Sequence, residues 1–200
     1  MSAPTDLAVT TSAEDRVAAA TDLITTAFHS LAVSKWLVAD PDERWAAQRG
    51  QFRMLVEHAA EHGTIYLDPD RTATAVWLDY TRPVPEPPDY DRRLLEVCGA
   101  HTARFAALDV AFAEHHPSTP HQHLAFMAVH PQHQERGRGS ALLTDHHRRL
   151  DAAGVPAYLE AANLRAARLY GRWGYRILDR IDLPGGPSMW PMWREPGAVR

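Results

Sequence analysis

Apolar side chains recur at Val17, Ala20, Ile24, Ala27 and Phe28, the three-and-four spacing that lines one face of an α-helix. Ser12 with Asp15 three positions later makes a capping box at its start. A second start signal is Asp40-Pro41-Asp42-Glu43, with the proline in the first helical position. Trp45, Phe52, Leu55, Val56 and Ala59 continue it, and Gly63 is the expected C-cap. The period then changes. TIYLD (64–68) and TATAVWLDY (72–80) read as strands joined by the turn residues Pro69-Asp70-Arg71. A short strand is expected at Leu7–Thr10, after a loose tail at 1–6. The proline-rich stretch 82–88 leads into Leu94, Cys98, His101, Phe105, Leu108 and Phe112, one long helix or two short ones. HHPSTPHQH (115–123) reads as a solvated loop. The remaining order is strand 124–129, loop, helix 139–153, strand 156–161, helix 165–173, and a strand pair, 175–183 and 188–194, around Pro184-Gly185-Gly186-Pro187. No repeat or linker interrupts this, so residues 1–200 are expected to form one α+β domain.

Composition narrows the class. With 200 residues and 45% hydrophobic content, the chain can bury a sizeable core. A single cysteine, Cys98, excludes an internal disulfide framework. No secretory leader and no run of about 20 apolar residues is visible, so a cytoplasmic protein without membrane contact is expected. The net charge of −4 is uneven: residues 134–200 hold 11 Arg against 7 acids, and residues 1–133 carry the acidic excess. An anionic ligand suits the C-terminal third and a cationic one the rest, while the basic excess is too small to point to nucleic acid. Phe28, Trp36, Trp45 and Trp77 are expected in the core. His58 and His62 fall in an H-x-x-E-H pattern, but with no third ligand nearby no metal site is expected.

The chemistry concentrates at HPQHQERGRGSALLTDHH (130–147). Gln134-Glu135-Arg136-Gly137-Arg138-Gly139-Ser140 lies between a predicted strand and a predicted helix. Unpaired N–H groups at a helix N-terminus carry partial positive charge, and glycines let phosphate oxygens approach them. Arg136 and Arg138 add charged donors. The loop is thus suited to a phosphate or pyrophosphate. It lacks the spacing and lysine of a Walker loop. A dinucleotide fingerprint finds Leu142 where a third glycine or alanine belongs, although Glu160 lies at about the separation of the ribose-binding acid.

The third pattern, [QR]-x-x-G-x-[GA], is met by Gln134, Gly137 and Gly139. It resembles the pyrophosphate loop of the GCN5-related N-acetyltransferases (GNAT). HLAFMAVHP (123–131) resembles that family's fourth strand. Asn163, Ala166, Leu169, Tyr170, Gly174 and Tyr175 match its N-x-x-A-x-x-L-Y-x-x-x-G-[FY] pattern after the fifth. The wording of AVWLDYTRP, VPAYLEAAN, LYGRWGY and LPGGPSMWPMWREPG resembles, within the family, the puromycin N-acetyltransferase group and similar actinobacterial enzymes. Glu135 departs from the glycine or basic residue common at its position. A carboxylate there is unfavourable beside a pyrophosphate unless it faces solvent or pairs with an arginine.

The resemblance implies a mixed, mostly antiparallel sheet with strands four and five splayed and helices on both faces. It implies acetyl-CoA as co-substrate, bound by the backbone of Met127, Ala128 and Val129, by Gln134 to Ser140, by Asn163 and by Tyr170. Tyr170 takes the place of the acid that protonates the leaving thiolate. Glu160, at the end of the fifth strand, is the first candidate for the base, with His123 and His121 behind it. Phe28 and Trp36 are placed in the acceptor pocket. The implied acceptor is a small-molecule amine, with an antibiotic or related metabolite among the candidates, and the implied assembly a monomer or homodimer. Another acyl donor, a protein amine, and a silent acyl-CoA-binding domain remain as alternatives.

Overall fold

Ser12 opens the first helix as the capping box predicts, its hydroxyl accepting from the Asp15 amide at 3.0 Å while the Asp15 carboxylate accepts from the Ser12 amide. This computed structural model describes residues 12–198. The expected tail at 1–6 and strand at Leu7–Thr10 lie outside the described residues. The helices are α1 (Ala13–Phe28), α2 (Ala32–Leu37), α3 (Pro41–His62), α4 (Tyr90–Cys98), α5 (Thr102–His115), α6 (Arg138–Ala153) and α7 (Leu164–Gly171). The strands are β1 (Gly63–Leu67), β2 (Ala73–Asp79), β3 (Gln122–Val129), β4 (Ala157–Ala161), β5 (Arg176–Ile177), β6 (Ile181–Asp182) and β7 (Ser188–Arg194).

Most predicted elements recur with small shifts, and the differences have local causes. The stretch from Leu94 to Phe112 is two helices, because Gly99 turns left-handed (φ 49°) between them. The short α2 escapes the periodicity. Its six residues are held by burial of Val33 and Leu37 and by the Gln48 amide donating to Ser34 Oγ at 2.8 Å. Gly63 is the C-cap of α3, as expected, but in an extended rather than a left-handed conformation: it is also the first residue of β1, packed so closely that a Cβ would lie 1.8 Å from the Trp77 carbonyl oxygen. The predicted strand 175–183 is two short pieces, bent where Arg180 folds back to pair with Asp182. Trp45 is not core: it is 39% exposed, its ring edge against His29.

The strand order is β1-β2-β3-β4-β7-β5, with β6 on β7. Every pairing is antiparallel except β3 with β4. Side chains of β2 alternate between two cores. Ala75 and Trp77 join Leu143, Leu150 and Tyr170 beneath α6 and α7, while Val76 and Leu78 join Val17, Ile24 and Phe52 under α1 and α3. The sheet is covered on both faces, as expected. The parallel pair β3–β4 is registered only at Gln122↔Ala157 and His123↔Tyr158. Beyond those residues the two strands part, and the split opens the cleft in which the chemistry gathers.

Candidate active site

A β-bulge decides what β3 presents to the split. Trp77 pairs with Leu124 and Val76 with Phe126, which leaves Ala125 as the extra residue. Before the bulge, the Gln122 amide donates toward β4, to the Pro156 carbonyl. After it, the His130 amide donates to Thr72 on the β2 side. Backbone groups alternate between the two edges of a strand, so Phe126 and Ala128 turn to β2 and Met127 and Val129 turn to the split. The backbone groups of Met127 and the amide of Val129 are therefore available to a ligand arm, the Val129 carbonyl being taken by Gln134. Those of Ala128 are not: it pairs with Thr74 and packs its side chain under α1 and α3, so its expected backbone contact is corrected to a wall position.

The split runs into the N-terminus of α6. Gly137 caps that helix in the left-handed region (φ 76°), and nothing lies within 4 Å of the place its Cβ would occupy. Gly139 lies against Val129 and Met127. The Gln134 amide donates to the Val129 carbonyl at 3.3 Å, closing the loop onto β3. Glu135 is left-handed too (φ 64°), which accounts for glycine being common there, and its carboxylate pairs with Arg165 at 2.7 Å on the surface. The departure at Glu135 is thus accommodated by an arginine. Arg138 is corrected. Its guanidinium is tied to Asp68 and Asp70 of the β1–β2 turn rather than left free for a phosphate. Arg136 is exposed and outside the cleft wall. Ser140 is on the wall. Open helix amides over a glycine bed, next to an unpaired strand edge, are what a pyrophosphate with an amide-bearing arm requires.

The cleft holds about 1430 Å³ and continues from this loop, past Tyr170, to Phe28 and Phe112. Tyr170 is buried against Tyr175, its hydroxyl without a hydrogen-bond partner among the described residues, and burial pushes its pKa up. The phenol is therefore fully protonated at neutral pH. Asn163 caps α7, its side chain accepting from the Ala166 amide at 2.9 Å. Phe28 lines the cleft, with its ring edge-on to Phe52 and Phe126. Trp36 does not line it. Its indole donates to the Pro184 carbonyl at 3.2 Å, which makes it a strut for the β6–β7 turn and corrects the expected pocket role.

Glu160 stands two residues beyond Tyr158, on the same face of β4. His123 is opposite Tyr158 across the parallel pair. This diagonal brings His123 Nε2 to 2.9 Å from Glu160 Oε2, where the strands separate. Burial would raise the Glu160 pKa, but His123, the Tyr158 hydroxyl and His116 outweigh it and hold the carboxyl below its ordinary range. Glu160 Oε1 and His123 Nδ1 are buried without a partner. His116, Tyr80 and His121 pack around the pair, with the His116 ring centroid 5.3 Å from that of His123. Burial lowers the His116 pKa to about 4, helped by His123 and His121. The HHPSTPHQH segment is a loop, as expected, and exposed at Ser118 to Pro120, but its flanking histidines are not solvated. His121 is fully buried and His116 forms cleft wall, a role its polar surroundings in sequence gave no sign of.

Comparison with known proteins supports the same reading. Residues 98–177 match the acetyltransferase (GNAT) domain family. A Corynebacterium glutamicum ATCC 13032 structure described as histone acetyltransferase HPA2 and related acetyltransferase is similar over 90% of this chain and 91% of its own. Its TM-score is 0.67 and its identity 28%. The fold also matches an agmatine N-acetyltransferase (16% identity, 92% and 96% coverage, TM-score 0.59). A Drosophila melanogaster polyamine N-acetyltransferase matches likewise (18%, 89% and 96%, 0.54). Among the described residues no helix is long and apolar enough to cross a membrane.

Proposed function

From the match of residues 98–177 to the GNAT acetyltransferase domain family, we propose that the chain belongs to that family and transfers the acetyl group of acetyl-CoA to a primary amine of a small molecule. The observation that carries the acceptor half of this reading is the His123–Glu160 pair, buried at the mouth of the strand split with two unpartnered atoms. A concave, partly apolar cleft suits a compact amine better than a protein surface. The likeness of several segments to antibiotic-modifying acetyltransferases makes an antibiotic amine one member of the class to test.

The residues divide the work. The α6 amides over Gly137 hold the pyrophosphate, and the free backbone groups of Met127 with the Val129 amide hold the arm that ends in the thioester. An amide of that edge is also the donor for the oxygen on which negative charge develops. Glu160, kept ionised, holds His123 in one tautomer and stabilises its protonated form. The pair first takes a proton from the ammonium, and the neutral nitrogen then bonds to the carbonyl carbon. As the tetrahedral intermediate collapses the carbon–sulfur bond breaks, the Tyr170 hydroxyl gives its proton to the sulfur, and the second proton lost by the nitrogen restores the phenol.

Thiol release across an amine panel tests this. Wild-type release is expected to depend on amine. Glu160→Gln should lower kcat about 10²-fold or more with acetyl-CoA affinity unchanged by calorimetry. Because the pair acts as a unit, adding His123→Gln should lower it little further. Release that ignores the amine, or two variants whose losses multiply, would overturn the assignment.

A further inference from the structure

Asp109 is the acidic side chain that the chemistry above leaves without a task. It sits on α5, on the cleft face that also carries Phe112 and His116. The Tyr90 hydroxyl donates to its Oδ2 at 3.0 Å, and no ion pair reaches it among the described residues. The titratable groups that act on it or on Tyr90 are Tyr90, Asp91 and Cys98, none of them a cation. Leu31, Val33, Phe52 and Leu108 supply the apolar wall around this end of the cleft. A carboxylate withdrawn from water without a cation is costly, and a protein that keeps one in a cleft has a vacancy for positive charge.

Resting on the small-amine reading above, we propose that the acceptor carries a second cationic group, an ammonium or guanidinium, which Asp109 binds while the reacting amine lies against His123 and Glu160. Asp109 precedes His116 by seven residues, about 10 Å along a helix axis, and the His116 ring touches the His123 cluster. The substrate class is therefore a linear diamine or amino-guanidine with an apolar spacer long enough to bridge that distance. The spacer fits the aromatic and aliphatic wall between the two polar ends. Burial lifts the Asp109 pKa to about 6, the Tyr90 hydrogen bond opposing and Asp91 adding to it. A bound cation would draw it back down, so binding and ionisation reinforce each other. The acidic excess of residues 1–133, which hold this end of the cleft, favours the same charge.

The test compares α,ω-diaminoalkanes with monoamines of the same chain length. In the wild type, kcat/KM for the best diamine should exceed that of its matching monoamine by roughly ten-fold or more. Asp109→Asn should collapse that ratio toward one, chiefly through KM for the diamine. Asp109→Glu should keep the preference and move the optimum to a shorter spacer. Acetyl-CoA binding by calorimetry reports that each variant is folded. If Asp109→Asn does not fold, Tyr90→Phe, which removes the only donor holding the carboxylate among the described residues, should reduce the ratio in the same direction. A wild type that uses monoamines as well as diamines, or a ratio unmoved in the variants, overturns the role of Asp109 and leaves the small-amine reading standing. A wild type that acetylates no amine of either kind overturns both.

Discussion

Tyr170 illustrates how little a side chain's identity says until its surroundings are known. Burial raises its pKa, so the ring carries a proton at any working pH, and no hydrogen bond among the described residues fixes its hydroxyl elsewhere. A phenol so placed can supply a proton to a departing sulfur. Tyr170→Phe removes the proton source and keeps the ring that packs on Tyr175. kcat is expected to fall about 10²-fold, the lower end of general acid effects, because a thiolate leaves tolerably even unprotonated. Acetyl-CoA affinity should hold. Steady-state kinetics paired with calorimetry distinguish this from a binding role, in which affinity would fall and kcat would not. Glu160 and His123 give the opposite lesson: each is ordinary alone, and their value comes from sharing one hydrogen bond at the point of the strand split.

The close pairing of β1 with β2 rests on one glycine. Gly63 is extended, a conformation any residue adopts, yet a Cβ there would collide with the Trp77 carbonyl at 1.8 Å. The obstructing carbonyl belongs to the buried backbone of β2, which cannot swing aside as a flexible side chain could. Gly63→Ala should therefore destabilise the fold by about 3 kcal/mol, or roughly 6–12 °C in Tm. At Gly171 a Cβ meets nothing within 4 Å, so Gly171→Ala is the matched control, with stability unchanged or slightly raised. Equal melting temperatures in the two variants would contradict the close approach. The bulge at Ala125 plays a comparable part in β3. One inserted residue exchanges the edges of the strand, and without it Ala128 rather than Met127 and Val129 would offer its backbone to the split.

Two histidines of α6 couple the entire fold to pH. His146 stacks on Trp77 at 3.9 Å between ring centroids and shares a hydrogen bond with the Tyr66 hydroxyl; His147 does so with the Tyr175 hydroxyl. Burial, with Arg149 nearby, lowers the His146 pKa to about 4. Burial, Arg194 and His146 lower that of His147 to about 3, against Asp151. Both are neutral in the folded protein at neutral pH. As pH falls below about 6.5 the unfolded chain takes up protons that the folded one refuses, so stability is present above that value and is lost on acidification. Each site should cost about 2 kcal/mol by pH 5. Together they should lower Tm by roughly 8–16 °C between pH 7.5 and 5. Asp109, whose pKa is raised, works the other way and softens the slope. Scanning calorimetry across that range measures the slope, which should be shallower in His147→Gln. A melting temperature independent of pH would show that these rings are not held neutral.

Much was legible in the linear order of residues, because periodicity, caps and turn residues act over a few positions. The capping box at Ser12, the Asp40-Pro41 helix start, the hairpin around Asp70, the glycine loop before α6 and Tyr170 on the following helix were all placed from local pattern. So was the strand edge at Met127 and Val129, through its resemblance to a known motif. What sequence spacing could not supply is which distant groups meet. His123 and Glu160 are 37 positions apart, and the splayed parallel pair joins them. Asp109 looks in sequence like a solvated helix position, and becomes a cleft carboxylate through the docking of α5 beside α2 and α4. Arg138 is drawn to Asp68 and Asp70, seventy and sixty-eight positions back, rather than to the loop's own ligand space. Trp45 leaves the core, and Trp36 keeps its core packing but leaves the cleft wall, for the same reason. Local bonding preferences are written along the chain, whereas burial and charge pairing depend on which surfaces the sheet and helices bring within a few ångströms.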